Sequence, residues 1–157
     1  MSVLLAGLEP ELARALTRRL VAAGDQVRVI APAGEEAPPG VHVATGSLED
    51  EDLVERACQG VRTIVLGAAA DDALDAAARA GVDRAVLVGV TAGRPPPMSS
   101  VTLLLPRPRL LGLGKGLSPE SVAEAVDAAD DLAGEPRLVA DLGTDEGWRA
   151  LRLESPR

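Results

Sequence analysis

The sequence predicts an α/β fold, a doubly wound and mostly parallel sheet with helices on both faces. Three observations predict it. Short runs such as VLLA at 3–6, TIVL at 63–66 and AVLV at 85–88 are apolar without alternation, the pattern of strands buried on both faces. Helical stretches separate these runs, as successive βαβ units require. Glycines and prolines fall between the runs rather than inside them, where turns belong.

The elements follow in order. A strand at 3–6 leads to a helix over about 10–23, on which Leu12, Leu16 and Leu20 form one apolar stripe with Ala15 and Ala23. Gly24 fits the C′ position that ends it. QVRVI at 26–30 is the second strand, and Ala31 to Gly40, with three prolines and two glycines, is a loop. VHVAT at 41–45 is the third strand. A helix at 49–58 opens on acidic residues, which suit the positive end of a helix; Asp50 belongs to that start. RTIVLG at 62–67 is a strand, DDALDAAARA at 71–80 a helix stopped by Gly81, and RAVLVGV at 84–90 the fifth strand. The rhythm then breaks. In TAGRPPPMSS, 91–100, Pro95, Pro96 and Pro97 exclude an ordinary helix. The crossover into the sixth strand, VTLLL at 101–105, therefore lacks its usual helix. A helix at 117–134 takes Ser118 as N-cap and Pro119 as first residue. RLVADL at 137–142 is the last strand, and a short helix near 145–152 closes the pattern. Residues 1–157 read as one domain.

Composition narrows the function. The formal net charge is −8, and phosphate neutralisation needs clustered Lys and Arg, so no nucleic-acid partner is expected. With no Phe, no Tyr and Trp148 alone, the core must be aliphatic, and stacking platforms for bases are missing. One cysteine excludes a disulfide framework within the chain. No apolar run reaches the roughly 18–20 residues of a membrane helix, and Glu9, Glu11 and Arg14 interrupt any leader-like segment. A cytoplasmic protein without membrane insertion is the expectation. His42 stands alone, and a metal site needs several ligands, so no metal is expected. Cys58 reads as a small buried hydrophobe.

The stretches VLLAGLEPELARAL, GVHVATGSLEDEDLVERACQGVRTIVLGAA, AARAGVDRAVLVGV, VTLLLPRPRLLGLG and SVAEAVDAADD together resemble the atypical and extended short-chain dehydrogenase/reductases, NmrA-like or NAD-dependent epimerase-like, in a shortened and degenerate form. The resemblance covers nearly the whole chain and implies a Rossmann-like NAD(P)-binding fold. It also implies where a cofactor would sit. The family's G-x-x-G-x-x-G falls on Gly7, Pro10 and Ala13, and its G-D-L turn on Gly46, Ser47 and Leu48. Gly7, Ala13, Ser47 and Leu48 are thus vestigial cofactor positions. Pro10 removes an N–H and adds a ring where the pyrophosphate would approach. Glu9 and Glu11 set like charges there, at about 1–2 kcal/mol each. After the second strand, Ala31, Pro32 and Ala33 offer neither the acid that reads a ribose nor the base that reads a 2′-phosphate.

The family's Tyr-x-x-x-Lys pair has no counterpart: the chain lacks tyrosine, and Lys115, its one lysine, lies well past the expected place. Thr91 is the hydroxyl left in the family's serine region. No catalytic residue is assigned. Between Arg84 and Leu117 stand five basic residues and no acid; Arg107, Arg109 and Lys115 are candidate contacts for an anion or an acidic partner. The expectation is a non-catalytic, dehydrogenase-like protein acting as a binding, regulatory or structural subunit, with no cofactor. The alternative is an NAD(P)-binding oxidoreductase or redox sensor with an atypical site, using NAD or NADP. The missing helix predicts an uncovered apolar face, hence a homodimer or heteromeric complex through Met98, Leu103 and Leu105 or beside helix 71–80.

Overall fold

A computed structural model describes residues 2–34, 39–68, 70–106, 116–132 and 137–156. The elements are β1 (Ser2–Ala6), α1 (Pro10–Ala22), β2 (Gln26–Ala31), β3 (Val41–Thr45), α2 (Glu51–Ala57), β4 (Thr63–Leu66), α3 (Asp71–Arg79), β5 (Arg84–Val88), β6 (Ser99–Leu104), α4 (Pro119–Asp131), β7 (Arg137–Asp141) and α5 (Asp145–Ala150). The strands form one sheet in the order β3-β2-β1-β4-β5-β6-β7. Every pairing is parallel, with Val3 opposite Val27 and Thr63, and Leu103 opposite Val88 and Ala140.

Side-chain alternation divides the core in two. Val3, Leu5, Val86, Val101 and Leu103 pack beneath α1, α4 and α5. Leu4, Ala6, Ile64, Leu66 and Leu87 pack beneath α2 and α3. Helix boundaries follow local chemistry. Ser118 accepts from the Ser121 N–H at the start of α4, and Asp50 accepts from the Leu53 N–H at the start of α2, each satisfying a donor the helix leaves open. Gly24 at φ +87° and Gly81 at φ +86° follow the last residues of α1 and α3, in the left-handed conformation that ends a helix most cheaply with glycine. Trp148, the one aromatic, is buried under β7, and its indole N–H donates to the Leu142 carbonyl at 2.9 Å.

The β5–β6 crossover runs over residues 89–98 without a helix. It is pinned to α3. The Gly93 N–H donates to Asp71 at 3.0 Å, and Arg94 pairs with Asp75 and, at 3.6 Å, with Asp72. Val90, Ala92 and Met98 pack over the α3-side core. The expected open face is therefore smaller than the sequence implies, and it is displaced. Ala85 and Leu87 of β5 are covered. Leu103, expected at an interface, is buried on the opposite face, under α4 and α5. What stays open on the α3 side lies farther out: Thr102 and Leu104 are half-buried and Val139 is 63% exposed.

Candidate functional site

In an open parallel sheet, ligands bind beyond the carboxyl ends of the strands where the order reverses. Here the reversal lies between β1 and β4. The β1–α1 turn closes tightly on the end of β4. Gly7 has φ +66°, and a Cβ there would come 2.8 Å from the Ala68 Cβ. A Cβ on Gly67 would come 2.5 Å from the Gly7 carbonyl and 2.9 Å from Leu8 Cα. The Leu8 side chain lies against the same spot, its Cδ2 also 2.9 Å from that position.

A cleft of about 950 Å³ runs from this turn along α1. Its floor is Leu5, Ala6, Val29, Ile30, Ala31 and Val43, with Pro32 and Pro39 on the loop side. Val29 and Val43 line it because residues 32–34 and 39–40, the described parts of the β2–β3 connection, form no helix over that face. Thr17, 3% exposed, lies among the lining residues.

The rim is charged but balanced. Glu11 and Glu120 stand against Arg14 and Arg18. Arg18 reaches Glu120 at 3.5 Å, both exposed, a pair worth under about 1 kcal/mol. Arg14 is exposed and makes no ion pair among the described residues. The two helix starts that frame the cleft share one chemistry. α1 begins Glu9-Pro10-Glu11 and α4 begins Ser118-Pro119-Glu120. In each, proline removes the first N–H and a glutamate faces the positive end of the helix.

The positions singled out in the sequence are only partly gathered here. Gly7 and Ala13 line the cleft. Ser47 accepts from the Glu49 N–H at 3.2 Å within its own turn, and Leu48 packs beside the Gly7 turn. Thr91 is exposed on the β5–β6 crossover, and His42 is exposed on β3. Cys58 is buried behind α2, where burial pushes its thiol up to about 11 against the opposing pull of Arg28. Arg107, Arg109 and Lys115 lie outside the described residues. Among the described residues, no group of three His, Cys, Asp or Glu side chains gathers as a metal site.

A second polar cluster, unmarked by any motif, sits at the amino ends of the strands. Asp130 accepts from Thr63 and from Arg62 at 2.9 Å, while Arg84 donates to the Ala129 and Asp130 carbonyls at 3.0 and 2.7 Å. Its groups satisfy one another and hold the end of α4.

No family model matches the chain, and no curated protein sequence matches it. Solved structures do. ChuY, an anaerobillin reductase from Escherichia coli O157:H7, superposes with a TM-score of 0.68 at 17% identity, over 88% of this chain and 95% of that one. The UDP-glucose 4-epimerase of Thermus thermophilus, in complex with NAD, gives 0.67 at 16% over 96% and 82%. A Serratia marcescens short-chain dehydrogenase/reductase gives 0.61 at 12% over 89% and 95%. The chain has the Rossmann-like α/β fold of short-chain dehydrogenase/reductase and epimerase structures.

Proposed function

We propose that this chain is a non-catalytic, dehydrogenase-like Rossmann protein, a binding or structural subunit of a homodimer or a heteromeric complex. One observation carries the reading: both helix starts facing the cleft open on a proline followed by a glutamate. A pyrophosphate needs free N–H groups and a positive helix end. Here Pro10 and Pro119 remove N–H groups, Glu11 and Glu120 oppose the charge, and the apolar Leu8 lines the cleft beside the β1–α1 turn. The residues present do not fit a dinucleotide. The missing tyrosine and the helix-free 89–98 crossover support the same reading, because hydride chemistry of this family needs a positioned proton donor. The compartment this favours is the cytoplasm; among the described residues no helix is long and apolar enough to cross a membrane.

A second reading keeps a nicotinamide cofactor in an atypical site. It draws on Arg14 at the cleft rim, which has no ion-pair partner among the described residues, and on the NAD held by the T. thermophilus epimerase. Calorimetric titration with NAD, NADH, NADP and NADPH separates the two. The expected result is no binding tighter than the high-micromolar range. A low-micromolar dissociation constant, or sustained change in nicotinamide absorbance with sugar nucleotides, ketones or quinones, overturns the first reading in favour of the second.

A further inference from the structure

We propose that the cleft beside α1 binds a small apolar molecule carrying one carboxylate, a medium-chain fatty acid in chemical class, with Arg14 and Thr17 holding the carboxylate. The proposal rests on the reading above for its premise that no dinucleotide occupies the cleft. Strand register sets the floor. Leu5, Val29 and Val43 lie opposite one another on β1, β2 and β3, so their side chains share one face of the sheet, the face that α1 packs against. Neighbouring strands are about 4.8 Å apart, which makes an apolar track of about 10 Å. Val29 and Val43 are only half-buried, and Pro32 and Pro39 border the same cleft. Its volume of about 950 Å³ suits a small-molecule site, which joins an apolar lining to a few convergent polar groups.

Two such groups stand on α1. Arg14 and Thr17 are three residues apart, hence neighbours on one helix face, and both line the cleft. Thr17 is 3% exposed, and its hydroxyl makes no hydrogen bond to the described residues. Among those residues the one fully enclosed side-chain polar atom without a partner is Ser2 Oγ, so the Thr17 hydroxyl keeps its opening onto the cleft. A hydroxyl in that position is a donor without an acceptor. Arg14 is exposed and has no ion pair among the described residues, whereas Arg18 is engaged with Glu120. A guanidinium takes a carboxylate through two parallel N–H···O bonds, and the Thr17 O–H donates to the same group. Glu11 lies one turn from Arg14 toward the helix start, away from Thr17. It opposes a second negative charge, so a single carboxylate fits where a phosphate dianion does not. The apolar tail lies along the Val29–Val43 track.

Calorimetric titration of the full chain with decanoate tests this, with the site mapped by amide chemical shifts and variants checked for fold by circular dichroism. Saturable one-to-one binding with a dissociation constant of about 100 μM or tighter is expected, with shifts at Arg14, Thr17, Val29 and Val43. Hexanoate should bind about tenfold more weakly or worse, because each methylene laid on the floor contributes. Decanol, which lacks the charge, should also bind about tenfold more weakly than decanoate. Arg14→Gln should weaken decanoate about tenfold and leave decanol unchanged. Thr17→Val, which keeps the shape and removes the donor, should weaken decanoate roughly fivefold. Val43→Asp should abolish binding of both. No saturable decanoate binding, with no dinucleotide binding either, overturns the proposal and leaves the subunit reading standing. Decanol binding as tightly as decanoate, indifference to Arg14→Gln, or shifts outside the cleft overturn it in the same way. Decyl phosphate binding more tightly than decanoate overturns it together with the exclusion of a dinucleotide on which it rests.

Discussion

At the amino ends of the strands three arginines are bound to helix carbonyls. Arg28 donates to Ala57 and Gln59 beyond α2, and Arg62 and Arg84 donate to the last residues of α4. At the carboxyl ends the charges of the cleft rim face water, and Arg14 holds nothing among the described residues. The difference follows from topology. Each helix returns antiparallel to its strand, so helix C-termini collect at the amino edge, where open carbonyls need donors. Helix N-termini collect at the other edge, where their open N–H groups would serve a ligand. This chain answers the first need with arginine. It reduces the second by starting α1 and α4 with proline, which removes one N–H from each, and with glutamate. One edge is held by arginine–carbonyl contacts, and the other is a surface whose side chains the fold does not require.

Substitutions at the two edges should therefore part company in stability. Asp130→Ala removes the carboxylate from a buried cluster, leaves Thr63 without its acceptor and leaves Arg62 with only the backbone carbonyl of residue 130. The expected loss is about 3 kcal/mol, or roughly 6–12 °C in Tm, measurable by calorimetry. A loss under 1 kcal/mol would mean that water reaches the cluster and the contrast is false. Gly67→Ala probes the backbone of the carboxyl edge, where a methyl meets the Gly7 carbonyl and Leu8 Cα. A cost of about 2 kcal/mol is expected, and it confines the freedom of that edge to its side chains. A smaller loss is expected on raising the pH. Burial holds the Cys58 thiol at about 11, above its ordinary 9.0, so the unfolded chain gives up this proton first. The contribution is intact below pH 9 and declines as pH rises from 9 to about 11. The Cys58→Ala variant should lack that part of the decline in urea titrations. Least of all, Arg14→Ala should change stability by under about 0.5 kcal/mol, since no described residue depends on it.

The order of elements was legible because each signal is local. Apolar runs mark the buried strands, Gly24 and Gly81 end α1 and α3, and Ser118-Pro119 opens α4; each observed boundary falls within about three residues of expectation. The start of β6 was read late because Ser99 and Ser100 look like loop, yet Ser100 is buried opposite Ala85. The cleft was not legible. Arg14 and Arg18 sit on the polar stripe of α1, and nothing in that stripe distinguishes a cleft wall from open solvent. The one available signal was the composition of residues 31–40, whose three prolines and two glycines leave no helix to be expected between β2 and β3. The amino-edge cluster joins Thr63 to Asp130 across 67 positions, beyond the reach of any periodicity. The position of the open sheet face was misjudged for a related reason. Leu103 and Leu104 are equally apolar, and only the covering helices decide which of them is buried.

Trp148 has a practical consequence. With no tyrosine or phenylalanine in the chain, all of its intrinsic fluorescence and nearly all of its near-ultraviolet dichroism come from one indole, fixed to the Leu142 carbonyl in the corner between β7 and α5. The emission of the native chain should be blue-shifted and insensitive to added quencher. Since that corner adjoins the edge strand, the same optical signal that follows unfolding also reports on the part of the sheet nearest β7, without any label being introduced.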